Sequence, residues 1–329
     1  MDVKISIDIK FKIIFYIKMN SAHLQNFFFT HLKQKGPPLT RINNSSTQSI
    51  SVKKLVTVYQ MNYKDGIVYG FGDFIRGCFF LMAMCEKMGL YFDIDLSNHL
   101  LSKYVEGHSK NPNINYNNIS NIPMNYNDNP DDVNFIYNRF KGLIGNQKDE
   151  VYYTSSNIYP FLDMIKPSYI NFIKSRITPN ALMQKEIKET MTNLNLNNSK
   201  FSVIHIRMGD KFLFNTDNVL EKSILRTLFY NLNLLLNDKS RKYLILSDCT
   251  HLKMWFKPYD NCVFQINQIA HLGEQPVLIE EAVKNTMMDF YLMSRATYIY
   301  TYSTYPNFSG FSKWCAIIYN IPYKWHQIK

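Results

Sequence analysis

The chain has 329 residues, 46% apolar and 19% charged, with 23 Phe and 23 Tyr, a composition that excludes general disorder and supplies a sizeable core. Its formal charge of +11 suits an anionic small ligand, a nucleic acid or a membrane surface, yet the lysines are scattered, which argues against a dedicated nucleic-acid module. The cysteines (Cys78, Cys85, Cys249, Cys262 and Cys315) form no C-x-x-C pair and no zinc-type spacing, so they read as reduced core thiols of a cytosolic protein.

In chain order, Ile5–Met19 is apolar but interrupted by Asp8, Lys10, Lys12 and Lys18. It is too short and too charged for a membrane span and lacks a small-residue cleavage site. The expectation is a cytoplasmic protein with no membrane anchor. Residues 34–52 are rich in Pro, Ser and Asn and read as a linker, which ends an N-terminal segment spanning 1–52. A first globular domain is expected over 53–199. Leu55–Tyr59 is a strand candidate and Ile67–Tyr69 a second. The stretch Gly70–Gly77 reads as a Gly-rich loop opening a helix over Cys78–Met88, closed by Gly89. Taken alone it is a tight turn with Arg76 in solvent; the alternative turns Asp73 or Arg76 into a cleft. Tyr91–Ile94 is the next strand. Residues 107–132 are dominated by Asn, Asp and Pro and read as an irregular excursion, and Asn180–Leu194 follows Pro179 as a helix.

A second domain is expected over 200–329, where the strand–helix rhythm is clearer. Phe201–Asp210, FSVIHIRMGD, is an apolar strand that delivers His205 and Arg207 on one face, with Gly209 for a turn and Asp210 after it. A forked, permanently charged guanidinium at the carboxyl end of a strand points to a phosphate or carboxylate ligand. A helix near Leu220–Leu236 precedes a strand at Lys242–Leu246, which ends in Ser247 and Asp248. The Asp248 carboxylate either accepts from a nucleobase edge or caps the following helix. Val263–Gln265 is a short strand. Pro276–Ala296 has a 3.6-residue apolar period, Tyr298–Thr301 is a strand and Phe311–Tyr319 the closing helix. The hydroxyl-rich run Thr301–Ser312 sits at a helix start, where it offers either a phosphate cradle or an ordinary cap. Strands alternating with helices of this length predict an α/β fold with parallel sheets.

Four blocks in order resemble the GDP-fucose-dependent fucosyltransferase superfamily. They are GFGD at 70–73, HIRMGD at 205–210, the strand ending in Ser247-Asp248, and Asp289–Ala316. The resemblance implies a GT-B fold of two Rossmann-like domains with parallel sheets facing across a cleft. It implies transfer of L-fucose from GDP-fucose to a glycan or glycoprotein acceptor, without metal or another cofactor, and no nucleic acid or membrane span among its partners. By position, it implies that Arg207 contacts the β-phosphate with His205 beside it and that Asp248 reads guanine. Ser303, Thr304, Phe308 and Ser309 surround the pyrophosphate and base, and the Gly70–Gly72 turn carries Asp73 toward donor or acceptor. Asp73 stands where several members carry Asn, and Asp73 and Asp210 are the candidate general bases. The single Arg of HIRMGD departs from the H-x-R-R-x-D-K motif of the α1,6 enzymes. Two other readings stay open: a non-catalytic binder of nucleotide sugars or glycans, and a basic nucleic-acid binder that rests on net charge alone.

Overall fold

The computed structural model describes residues 51–66, 69–122, 133–160, 164–197, 200–210, 212, 220–273, 279–306 and 308–329. Expectations for Ile5–Met19, for 34–50, for Ile67 and Val68, for 123–132 and for Pro276 lie outside them. The described elements belong to one compact unit, Ser49–Lys329.

In the first half, β1 (Lys54–Val58) leads to α1 (Phe71–Met88), β2 (Tyr91–Asp95), the short strands β3 (Val105–Glu106) and β4 (Asn121–Ile122), α2 (Val133–Gly145), and β5 (Val151–Ser156). Then come α3 (Pro167–Arg176), β6 (Thr178–Pro179) and α4 (Ala181–Asn193). The second half runs β7 (Phe201–Arg207), α5 (Lys222–Asn237), β8 (Lys242–Ser247), α6 (Thr250–Lys253), β9 (Cys262–Val263), α7 (Glu280–Met293), β10 (Tyr298–Ser303), α8 (Gly310–Tyr319) and β11 (Tyr323–Gln327).

Among the described residues there are two larger sheets, in the orders β2-β1-β5-β4 and β11-β10-β7-β8-β9, in which every pairing is parallel, and a small antiparallel pair, β3-β6. This is the expected α/β architecture of two Rossmann-like sheets, the GT-B arrangement. The strand β7 lies at the centre of its sheet, buried from Phe201 to Ile206, which is why it reads as a continuous apolar run. Its last residue, Arg207, pairs in register with Ser303 of β10. The edge strand β11 carries Trp325, His326 and Gln327 and was not anticipated, because its mixed polarity hides the period.

The stretch expected to be a Gly-rich loop is instead the first two turns of α1. Close approach, not turn geometry, selects glycine there. A Cβ on Gly72 would stand 2.4 Å from the backbone carbon of Gly310, and one on Gly77 would stand 1.6 Å from the Ser156 carbonyl oxygen. The helix thereby lies directly against the start of α8 and the end of β5. It ends where expected, with Gly89 in the left-handed region (φ 69°) returning its N–H to Cys85 and Glu86. Most of α1 is buried, because the main core packs on one face and a smaller apolar cluster on the other. Phe79 stacks on Trp314 at 5.2 Å, and Phe71 meets Phe290 edge-on at 5.4 Å, so aromatic packing ties the first sheet's helix to two helices of the second half. Smaller apolar clusters cover the outer faces, one around Leu228, Leu232 and Ile245, the other around Phe80, Phe140 and Ile144.

Two further starts are explained by the sequence. Asn180 caps α4 by accepting from the Met183 N–H at 3.0 Å. The long α7 begins with Glu280 and Glu281, carboxylates at the positive end of the helix dipole. The five cysteines are all free thiols. Among the described residues, no helix is long and apolar enough to cross a membrane.

Candidate active site

The carboxyl end of β7 opens into a hollow of about 810 Å³, within the size range of small-molecule sites. His205 and Arg207 line it, as do Gly70, Gly72 and Asp73 from the start of α1, and Phe308, Ser309, Gly310 and Phe311 from the start of α8. Ser247 and Asp248 reach it from the end of β8, and Asp289 from the middle of α7. Residues far apart in the chain therefore share one wall.

Arg207 is held by two carboxylates. Its Nη1 donates to Asp248 Oδ2 at 2.9 Å and its Nη2 to Asp210, while its guanidinium lies 5.8 Å from the centre of the Tyr305 ring. Burial opposes its charge, but Asp248 and Asp210 outweigh that and raise its pKa. Asp248 also accepts the Met208 N–H (2.7 Å) and the Gly209 N–H (2.8 Å). Gly209 itself adopts a φ of 120°, a conformation that L side chains avoid. Burial pushes the Asp248 carboxyl up, against the pull of Arg207 and the two N–H groups. With three donors on its two oxygens, Asp248 is an ionised acceptor at neutral pH. It neither caps the following helix nor turns a free oxygen into the hollow.

Asp210 bonds Arg207 and accepts from the Tyr305 hydroxyl at 3.2 Å. It flanks the guanidinium without lining the hollow. Ser303 and Thr304 do not line it either. Ser303 is fully buried, with its Oγ accepting the Tyr305 N–H, and the Thr304 hydroxyl donates to the Met208 carbonyl at 2.9 Å. Thr304 thereby braces the loop that follows β7, and Ser303 the turn that follows β10. Of Ser303, Thr304 and Ser309, the one that lines the hollow is Ser309. It occupies the N-cap position of α8 yet makes no side-chain cap bond, so among the described residues no side chain caps the first-turn N–H groups of the helix. Such an end favours an anion.

Asp73 pairs with Arg76 at 2.9 Å, one helical turn on, and its side chain is 39% exposed. Arg76 is not in solvent. Its Nε donates to the Asn157 carbonyl (2.7 Å), its guanidinium lies 4.3 Å from the Tyr159 ring centre, and both residues line the hollow. The helical start of α1 is the reason, since it turns residues 73 and 76 to the same side.

The largest feature missed in the sequence is Asp289. It sits within the motif block, but an acid inside an apolar helix carries no local sign of its role. It is 9% exposed and has no hydrogen-bond or ion-pair partner among the described residues, and burial pushes its carboxyl up to about 6, opposed by the charge of Lys253. Lys253 is buried and donates to the Gln265 carbonyl at 3.2 Å. In the same hollow, His205 Nδ1 is buried without a partner among the described residues, and burial, then the charges of Arg207 and Lys253, push the imidazole down to about 3. His205 is thus neutral across the physiological range. Nearby, the Thr286 hydroxyl fixes both the N–H and the carbonyl of Ala270, holding the 269–272 segment against the hollow. Among the described residues no group of three or more His, Cys, Asp or Glu side chains is arranged to hold a metal ion.

No protein-family model and no curated protein matches the sequence. Solved structures do resemble the chain. An Arabidopsis thaliana FUT1 variant in complex with GDP aligns with a TM-score of 0.49 at 11% identity, over 93% of this chain and 74% of that one. The NodZ alpha-1,6-fucosyltransferase co-crystallised with GDP gives 0.47 at 12% identity, over 80% and 91%. POFUT1 in complex with GDP gives 0.40 at 12% identity, over 83% and 97%.

Proposed function

We propose that the protein is an inverting, metal-independent glycosyltransferase that moves L-fucose from GDP-fucose to a glycan or protein hydroxyl. The observation that carries this reading is the convergence of Arg207 and the uncapped start of α8 on one hollow. A diphosphate needs such a pair of positive ends, one mobile in charge and one fixed in the backbone. The four sequence blocks that resemble the fucosyltransferase superfamily supply most of the residues lining that hollow, which supports GDP-fucose as donor.

The proposed step is a single displacement. The acceptor oxygen attacks the anomeric carbon and its proton passes to a carboxylate. The bond from that carbon to the β-phosphate oxygen breaks, and its electron pair leaves with GDP. Negative charge grows on the phosphate, where Arg207 and the α8 N–H groups stabilise it more in the transition state than before. Of the two candidate bases, Asp73 has the supporting geometry: it lines the hollow, is partly open and is held by Arg76. Asp210 is engaged with Arg207 and Tyr305 and serves to orient the guanidinium. For the nucleobase, the Asp289 carboxylate, which lines the hollow without a hydrogen-bond partner among the described residues, fits the paired N–H donors of guanine better than Asp248, which already accepts three donors.

Two measurements test the reading: GDP binding by thermal shift, and GDP formation from GDP-fucose in the presence of acceptor glycans. The expected result is stabilisation by GDP and turnover with at least one acceptor. Stabilisation without any transfer or hydrolysis would favour a non-catalytic binder. No stabilisation by any nucleotide sugar would end the proposal.

A further inference from the structure

The hollow holds a second charged cluster, to which Arg207, Asp248 and Asp289 do not belong. It runs from Asp73 to Arg76 (2.9 Å), from the Arg76 guanidinium to the Tyr159 ring (4.3 Å), and from that ring to the Lys313 ammonium (5.7 Å). The same ammonium lies 3.6 Å from the centre of the Phe308 ring, which meets Tyr159 edge-on at 6.2 Å. The charges along this wall do not balance. Arg76 is matched by Asp73, whereas Lys313 has no carboxylate partner among the described residues. Lys313 is half-buried among aromatic rings.

We propose that Tyr159, Phe308 and Lys313 form the acceptor subsite and that it selects an acidic sugar, a pyranose bearing a carboxylate or a sulfate ester. The inference rests on the transferase reading above and deepens it. An acceptor hydroxyl delivered to Asp73 places its own ring beside Tyr159, the next group along the wall. Aromatic faces suit the apolar C–H face of a pyranose, and a substituent reaching past the ring meets Lys313. A desolvated, unpaired ammonium is costly beside a neutral ligand and favourable beside an anion. Burial, then the charge of Arg76, lower the Lys313 pKa to about 8, so its environment penalises the lone cation while leaving it charged at neutral pH.

The test is calorimetric titration of the whole protein, loaded with GDP, using three disaccharides of matched size: one ending in a uronic acid, one carrying a sulfate ester and one neutral. The expected result is at least tenfold tighter binding of one or both acidic probes, with the better of the two identifying the source of the negative charge. That preference should disappear in Lys313→Met, which keeps the aliphatic stem, and persist in Lys313→Arg. Equal binding of neutral and acidic probes overturns the inference. So does a tenfold loss of GDP affinity in Lys313→Met, because the ammonium would then belong to the diphosphate. Failure of the native protein to bind GDP at all would instead count against the transferase reading, and the same titrations without GDP would still decide for or against the acidic subsite.

Discussion

Asp248, at the end of β8, holds Arg207, at the end of β7, with a 2.9 Å bond from the guanidinium, and the same carboxylate takes the N–H groups of Met208 and Gly209. One buried acid thereby fixes both the cation of the site and the backbone that carries it. Removing each partner should have a different consequence. Arg207→Ala should lower the turnover of saturating GDP-fucose by a factor of 10²–10³, about 3–4 kcal/mol of barrier, because it removes one donor to the leaving phosphate. Asp248→Ala should mainly unfold, losing about 3–5 kcal/mol, since it leaves the Arg207 Nη1 and two backbone N–H groups without their acceptor and Arg207 with Asp210 alone. Steady-state kinetics of the first variant and denaturant melts of the second check the pair. Near-native turnover in Arg207→Ala would remove the proposed role.

Asp289 should trade stability for binding. Its folded pKa of about 6 lies above the ordinary carboxylate value of 3.8, so the native state binds the proton more tightly than the unfolded chain. The sign follows: the buried charge destabilises the protein above pH 6, and the penalty fades as pH falls from 6 toward 3.8. Asp289→Asn should therefore melt higher at pH 7.5, by at most about 3 kcal/mol at 1.36 kcal/mol per pKa unit, with the gain shrinking on acidification. It should also bind GDP at least tenfold more weakly and discriminate less against other nucleoside diphosphates. Thermal melts across pH and GDP titrations read the two effects, and unchanged GDP affinity would assign the base pocket elsewhere.

Asp73→Asn tests the base. The amide preserves size and a hydrogen-bond acceptor for Arg76 but takes no proton. Turnover is expected to fall by a factor of 10²–10⁴ with little change in the KM for GDP-fucose. A fall in donor affinity with turnover preserved would mean that Asp73 only shapes the hollow.

Glycine placement gives a purely structural prediction. Gly77→Ala forces a methyl to within 1.6 Å of the Ser156 carbonyl oxygen, and Gly72→Ala to within 2.4 Å of the Gly310 backbone. Each should cost about 1–3 kcal/mol or more, and Gly72→Ala should also weaken GDP binding by displacing the start of α8. Gly142→Ala is the control. It lies inside α2 with nothing within 4 Å of the added methyl and should stabilise by about 0.5–1 kcal/mol. Melting curves of the three variants decide the matter.

Chelation should leave transfer within twofold of its untreated value, because Arg207 and the α8 N–H groups are proposed to neutralise the leaving phosphate. A tenfold loss restored by added Mg²⁺ would show that they do not suffice.

Much of this architecture was already legible along the chain. The strand at 201–207 announces itself because both its faces are buried, and the alternation of side chains along a strand fixes His205 and Arg207 on one side. The Gly89 stop, the Asn180 cap and the apolar period of α7 follow from local backbone chemistry. Tertiary structure decided the rest. Gly72 and Gly77 look like turn residues until another element is seen pressing on them. Ser303 and Ser309 are equivalent in a sequence, yet one is sealed beneath the loop and the other opens the helix. Asp248 and Asp289 are two buried acids, and only the arrangement of their neighbours shows that one is consumed by Arg207 while the other is left without a donor. Propensity and periodicity act within a few residues of the chain, whereas accessibility and charge matching are set by segments that meet only after folding.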